Sequence, residues 1–214
     1  MALATVLKGI YRELTGSQRE VDLGATREGG LHVAQRSAPY VEITRQGQMW
    51  SVMNTSALAA LVVRPSTVAN LTLHNLHAEG GPSLVIVRAF FFNLVSTAAQ
   101  ARSGLWLCSH QKAAAPTASI VVVKGATGTP NSDVAAQVVA AVAATVVDDG
   151  WFPWGDSVDL EPTGVLPGTQ KDVDVRGLLV VPPGRSISTQ VVSGVVGNTF
   201  TTGFMYYKAQ LDLG

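Results

Sequence analysis

The chain has 214 residues, enough for one large β domain or two small ones with a sizeable core. Hydrophobic residues make up 47% and charged residues 14%, against roughly 25% charge in an ordinary soluble domain. The formal net charge is zero, which excludes a global field toward nucleic acid, and the single Cys108 excludes an internal disulfide framework and a multi-cysteine zinc site.

A spanning stretch of about 20 apolar residues is absent, and the N-terminus lacks the basic and apolar blocks of a secretory leader, so no membrane is expected. A lone thiol fits assembly in a reducing cytoplasm. The charge deficit is then explained by surface that is buried against partners.

Residues 1–38 form a polar N-terminal arm rich in Gly, Arg and Glu, with five basic and four acidic groups in the first 36. Leu3, Val6, Leu7, Ile10, Tyr11 and Leu14 fall at helical spacing and predict a short amphipathic helix. It is either an arm that docks on a neighbour, with Leu3, Leu7 and Tyr11 as contacts, or a loosely packed lead-in. Residues 39–214 form the second domain, in which many short strands at roughly even spacing predict a sandwich or a barrel. Predicted strands are Tyr40 to Arg45, Met49 to Met53, Leu58 to Arg64, Ala69 to Leu76, Ser83 to Val95, Gly104 to His110 and Ser119 to Lys124.

Val134 to Val147 is 14 residues of mainly alanine and valine; Asp133 as a cap and the alanines favour a helix, which six valines oppose, and a helix is expected. Strands resume at Val173 to Val181, Ser186 to Ser193 and Thr199 to Leu213. Gln46-Gly47, Glu79 to Pro82, Gly125 to Pro130, Asp149-Gly150 and Pro182-Pro183-Gly184 supply the turns. In the last strand Met205, Tyr207, Ala209, Leu211 and Leu213 are expected to face inward, with Tyr206, Lys208, Gln210 and Asp212 in water. Leu84 to Leu94, apolar except for Arg88 and Asn93, predicts a strand covered on both faces, by a loop or by another subunit.

Candidates for chemistry weaken on inspection. Gly155-Asp156-Ser157 resembles an esterase block, but the last histidine is His110, so no base follows it. His74 and His77, three apart, point to opposite faces of a strand; Cys108 and His110 share a face but are two ligands short of a zinc site. Lys124 to Thr129 lacks the Gly-Lys-Ser/Thr end of a phosphate loop. Asp148, Asp149, Asp156, Asp159 and Glu161 read as a solvated acidic loop rather than a calcium site, because their spacing is not that of an EF-hand. No catalytic residue, metal ligand or cofactor is therefore expected. Trp151, Phe152 and Trp154 concentrate aromatic surface that caps the core, anchors an interface or stacks on a sugar.

Tyr40 to Met53, Ala69 to Leu76, the Gly80-Gly81-Pro82-Ser83 entry into Leu84 to Val87, and Leu179 to Gly184 before a closing aromatic strand resemble virion structural proteins of tailed bacteriophages. The resemblance implies an all-β, jelly-roll-like sandwich acting as a capsid-associated decoration or cement protein. It further implies a homotrimer that binds the major capsid protein or other virion proteins, assembled in the host cytoplasm and located on the virion. The alternative is a receptor- or carbohydrate-binding module of a tail or fibre, with Trp151 and Trp154 in a shallow site.

Overall fold

The computed structural model describes residues 7–12, 18–23, 40–54, 56–96, 101–111, 120–121, 124–125, 137–147, 149–160 and 169–211. The chain divides into two compact units, Met1–Val41 and Glu42–Gly214.

In the first unit, β1 (Leu7–Arg12) pairs antiparallel with β2 (Gln18–Leu23). The register sets Leu7 opposite Leu23, Gly9 opposite Val21 and Tyr11 opposite Arg19; on the alternate positions Lys8 meets Asp22 and Ile10 meets Glu20. The helix expected across Leu7, Ile10 and Tyr11 is therefore a strand. Gly9 disfavours a helix interior, and Ile10, Tyr11 and Val21 favour a pleated pair. Leu3, Val6 and Leu14 lie outside the described residues.

Starting at the last residue of the first unit and continuing in the second, α1 (Val41–Arg45) replaces the strand expected at Tyr40 to Arg45. Gly47, at φ 71°, closes it: the Gly47 and Gln48 amides donate to the Thr44 and Ile43 carbonyls at 2.9 and 3.1 Å, a paired C-terminal cap that glycine permits without strain. Next come β3 (Met49–Met53), β4 (Leu58–Ala59), β5 (Leu71–Asn75), β6 (Ser83–Val95) and β7 (Ala101–Gln111). The predicted strand Ser119 to Lys124 is split into β8 (Ile120–Val121) and β9 (Lys124–Gly125), which belong to different sheets.

The helix expected from Val134 to Val147 is contradicted by β10 (Val138–Val142). Val138 and Ala140 enter the core while Val139 and Ala141 are buried on the opposite face, an arrangement that suits β-branched residues and leaves the alanines as small spacers. The acidic loop expected after it is largely a strand, β11 (Phe152–Leu160), followed by β12 (Gln170–Val181), β13 (Arg185–Ser193) and β14 (Thr199–Ala209).

These strands build two packed antiparallel sheets, an all-β sandwich. One runs β11-β7-β13-β5-β10-β8 and the other β12-β6-β14-β3-β9, with β4 on β14. Leu71, Leu73, Leu105, Leu107, Ile187 and Val191 of the first sheet face Ile86, Phe91, Phe200, Phe204 and Tyr206 of the second. Phe91 and Phe200 meet edge-on at 5.6 Å, the geometry that aromatic quadrupoles favour.

The expected faces of the last strand are inverted: Tyr206 is fully buried, whereas Met205 and Tyr207 are half-buried on the outside. A register shift against β6 falls between Met205 and Tyr206 and keeps Phe200, Phe204 and Tyr206 on one inner face. Lys208 lies at the rim of that face, its ammonium 4.6 Å above the Trp50 ring.

The strand covered on both faces is real for Leu84 to Val87, all buried, but ends at exposed Arg88. The cover over Val85 comes from this chain: β12 bulges between Asp174 and Leu179, and a Cβ at Gly177 would lie 3.2 Å from Val85 Cγ1.

Buried asparagines hold the loops. At the end that carries α1, the Asn75 amide nitrogen donates to the Pro82 and Val181 carbonyls, both at 2.9 Å, while its oxygen accepts from the His77 amide at 3.2 Å. At the opposite end the Asn93 side chain donates to the Val95 and Thr199 carbonyls at 3.0 and 3.1 Å. In the core, Thr189 and Thr202 share a 2.7 Å hydroxyl bond between the two sheets. Each such bond satisfies a group that would be costly to bury alone.

Candidate interaction surfaces

The aromatic segment 151–154 packs inward. Trp151 is 4% exposed, and its Nε1 donates to the Ser66 carbonyl at 2.9 Å. It joins Ala69, Cys108, Val146 and Trp106 in a small cluster on the outer side of the first sheet. Phe152 and Trp154 point the other way, as strand alternation requires, and are half-buried against the main core, edge-on to one another at 5.6 Å. Trp154 Nε1 also donates to the Asp174 carbonyl at 3.4 Å. The strand therefore divides the three rings between two sides of a sheet instead of offering one aromatic surface. Leu7 and Tyr11 occupy alternate positions of β1, and Leu3 lies outside the described residues.

The outer face of the first sheet carries polar groups that long-range pairing brings together. His74 Nδ1 lies 2.7 Å from Ser186 Oγ, its cross-strand neighbour. His110 Nδ1 lies 2.7 Å from the Gln111 carbonyl oxygen, and its Nε2 lies 2.7 Å from Ser188 Oγ, itself 2.7 Å from Thr72 Oγ1. A carbonyl only accepts, so Nδ1 carries a proton; in the neutral imidazole Nε2 then accepts from Ser188, which accepts from Thr72. This is a serine–histidine contact, but Ser186, Ser188 and Thr72 are fully buried, which gives a substrate no approach to either hydroxyl. Sequence reasoning placed His110 beside Cys108 only. The available signal was the alternation of Ser186 and Ser188 around Ile187.

Gly155-Asp156-Ser157 lies in the irregular centre of β11, where the register shifts between Trp154 and Val158. Gly155 sits at φ 73°, and a Cβ there would come 2.7 Å from Val173 Cγ1. Close approach to β12 accounts for the glycine. Of the acids, Asp149 pairs bidentately with Arg64 at 2.7 and 2.8 Å and Asp159 with Arg102 at 2.9 Å; Asp148 and Glu161 lie outside the described residues. The Arg64 guanidinium holds the Asp149 carboxyl below the usual carboxylate range, and the carboxylate in turn raises Arg64. Among the described residues no group of three His, Cys, Asp or Glu side chains is placed to hold a metal, and no helix is long and apolar enough to cross a membrane. Of Lys124 to Thr129, only Lys124 and Gly125 are described, as β9 on the edge of β3.

Several exposed apolar groups lie toward the end of the sandwich opposite α1, while Leu178 of β12, at 75% the most exposed among the described residues, Val41 and Leu211 lie elsewhere. Leu61 bridges to Val192, which brings Val62 and Val63 beside the 194–198 turn carrying Val196. Val68 bridges antiparallel to Thr145, and Val146 donates to the Thr67 carbonyl, so the 145–147 segment runs beside 66–68. Val63 is 64% and Val196 71% exposed, and Val62, Val68, Val95 and Val147 are each about half exposed. The neighbouring charges, Arg64 and Asp149, satisfy each other. At the α1 end, an open groove of about 500 Å³ is lined by Ile43, Trp50, Pro82, Tyr207, Lys208 and Gln210, among others.

Comparison of the chain with protein-family models, curated proteins and solved structures finds no match in any of the three.

Proposed function

We propose that the chain is a non-enzymatic structural subunit of a tailed-phage particle: a capsid-associated decoration or cement protein that forms a homotrimer, binds the major capsid protein or other virion proteins, and resides on the virion. The observation that carries this reading is the valine-rich end of the sandwich, where Val62, Val63, Val68, Val95, Val147 and Val196 are exposed and the adjacent Arg64 and Asp149 neutralise each other. Apolar surface of that kind gains free energy only when a partner removes it from water. A formal net charge of zero adds no repulsion between copies.

Strand order supports the finer fold. Counting β3, β5, β6, β7, β11, β12, β13 and β14 as first to eighth, the sheets read 6-3-8-1 and 5-4-7-2. First and eighth strands are neighbours, as are second and seventh, third and sixth, and fourth and fifth across the two sheets. With β4, β8, β9 and β10 left aside, a long hairpin folded over itself gives that order, which supports the jelly-roll reading.

Light-scattering mass of the purified full chain at micromolar concentration tests the proposal. A mass of three chains is expected, falling to one in a Val63→Lys, Val196→Lys double variant that keeps the wild-type circular dichroism and melting temperature. A wild-type chain that stays monomeric at about 100 µM would overturn it.

A further inference from the structure

We propose that Arg185 anchors a binding site for a small ligand bearing one oxyanion group, carboxylate, sulfate or phosphate, in the cleft where the two sheets part at the α1 end.

The cleft follows from the strand lengths. β11 begins at Phe152, opposite Leu107, so Ser109, His110 and Gln111 of β7 continue past the edge strand that covers the rest of β7. β12 ends above them, and the Pro182-Pro183-Gly184 turn leads into Arg185, whose register partner is Gln111. Ser109, His110, Gln111 and Arg185 of one sheet and Val180 and Pro182 at the end of the other line an open depression of about 360 Å³. Among the described residues, that lining contains one permanent cation and no acid.

Arg185 differs from the arginines around it. Arg64, Arg88, Arg102 and Arg176 each form an ion pair with an aspartate, whereas the Arg185 guanidinium has none among the described residues. Its backbone is fixed, however, because its amide donates to the Pro182 carbonyl at 3.1 Å. Gly184, at φ 74° after two prolines, sets the turn that aims the strand. A guanidinium offers a planar fork of donors that matches a carboxylate, sulfate or phosphate group bidentately. The Ser109 hydroxyl adds a neutral donor on the same wall. Ser109 and Gln111 of β7 are paired with Ile187 and Arg185 of β13, so that wall of the cleft is formed before a ligand arrives.

Titration of the full chain, followed by calorimetry and amide chemical shifts at constant ionic strength, tests the site with sodium sulfate, sodium phosphate, glucuronate and neutral glucose. Saturable millimolar-range binding of at least one anion is expected, with shifts centred on Ser109, Gln111 and Arg185. Tighter binding of glucuronate than of sulfate or phosphate identifies a carboxylated sugar as the source of the oxyanion; the reverse order identifies a free tetrahedral anion. Arg185→Gln should weaken binding about tenfold or more, with Arg185→Lys in between, because a point charge replaces the fork only in part. An unchanged melting temperature for both variants keeps a folding defect out of the comparison; should Arg185→Gln unfold, Arg185→Lys and the shift map still decide. Absence of saturation up to about 50 mM of every anion, equal binding by Arg185→Gln, or equal binding of glucose overturns the site.

Discussion

Asn75 offers a direct test of how buried amides hold this sandwich, because its side chain joins β5 of one sheet to the end of β12 in the other. It is fully buried; both amide hydrogens are spent on the Pro82 and Val181 carbonyls, and its oxygen accepts from His77. Asn75→Ala removes both donors. The Val181 carbonyl is buried and loses about 1–3 kcal/mol, while Pro82, which water can reach, loses about 0.5–1.5. A total of about 1.5–4.5 kcal/mol corresponds to a fall of roughly 3–18 °C in melting temperature for a chain of this size. Asn75→Asp separates a lost donor from a lost shape. Near neutral pH its carboxylate can only accept and faces two carbonyl oxygens, so it should cost at least as much as alanine. That environment raises the folded-state pKa of the introduced carboxyl above its unfolded value of about 3.9. The protonated form is thus favoured by folding, and the deficit relative to wild type grows as pH rises through the folded pKa and shrinks as pH falls below it. Urea unfolding at pH 7 and at about pH 4.5, each referenced to wild type, reads this directly. The reasoning is refuted if Asn75→Asp shows the same deficit at both pH values, or if alanine costs less than about 0.5 kcal/mol.

A Cβ at Gly203 would lie 2.6 Å from both Phe90 Cε2 and the Val52 carbonyl oxygen. Gly203→Ala should therefore cost about 1–3 kcal/mol in urea unfolding, and Gly203→Ala with Phe90→Ala should recover only the part due to the ring. Leu73→Ala, in the centre of the core, should cost about 2–5 kcal/mol by the same assay. Asp149 is held below the usual carboxylate range by Arg64. Its contribution should be present above the unfolded pKa of about 3.9 and lost as pH falls through the folded value, so the Arg64→Gln variant should shift the Asp149 carboxyl titration upward by NMR.

Where the sequence alternates or runs apolar over a whole strand, its reading matches the structure: Met49 to Met53 and Ser83 to Val95 have the observed bounds, and Pro182-Pro183-Gly184 turns as its residues require. The misses share a cause, namely that tertiary position outweighs local composition. β11 contains Pro153, Gly155 and two aspartates, which argues for a loop; as an edge strand it needs no ladder on one side and tolerates all of them. For β14 the alternation was legible but its polarity was not, since Tyr206 and Tyr207 are equal candidates. Carrying the even positions back to Phe204 and Phe200 identifies the inner face. The Arg185 cleft and the hydroxyl–imidazole contacts of Ser186 and Ser188 join residues about 75 or more positions apart along the chain, a pairing that no local pattern encodes.

Charge placement gives the low charge content a structural meaning. Buried polar side chains in the described residues are amides, hydroxyls and imidazoles, so the interior requires no ion pairs. The ion pairs instead concentrate where the two sheets end: Arg88 with Asp172 and Asp174, Arg176 with Asp174, and Arg102 with Asp159 lie on β11, β12 and their immediate partners. Both edge strands are also bulged, β11 around Gly155 and β12 around Arg176 and Gly177. Charge and bulging are the two devices that make an open strand edge a poor template for another strand. The β11/β12 edge is guarded in this way although Leu178 of β12 is exposed, and Val62, Val63 and Val196 are exposed elsewhere; under the proposed trimer, association would run through those valines rather than across the edge strands.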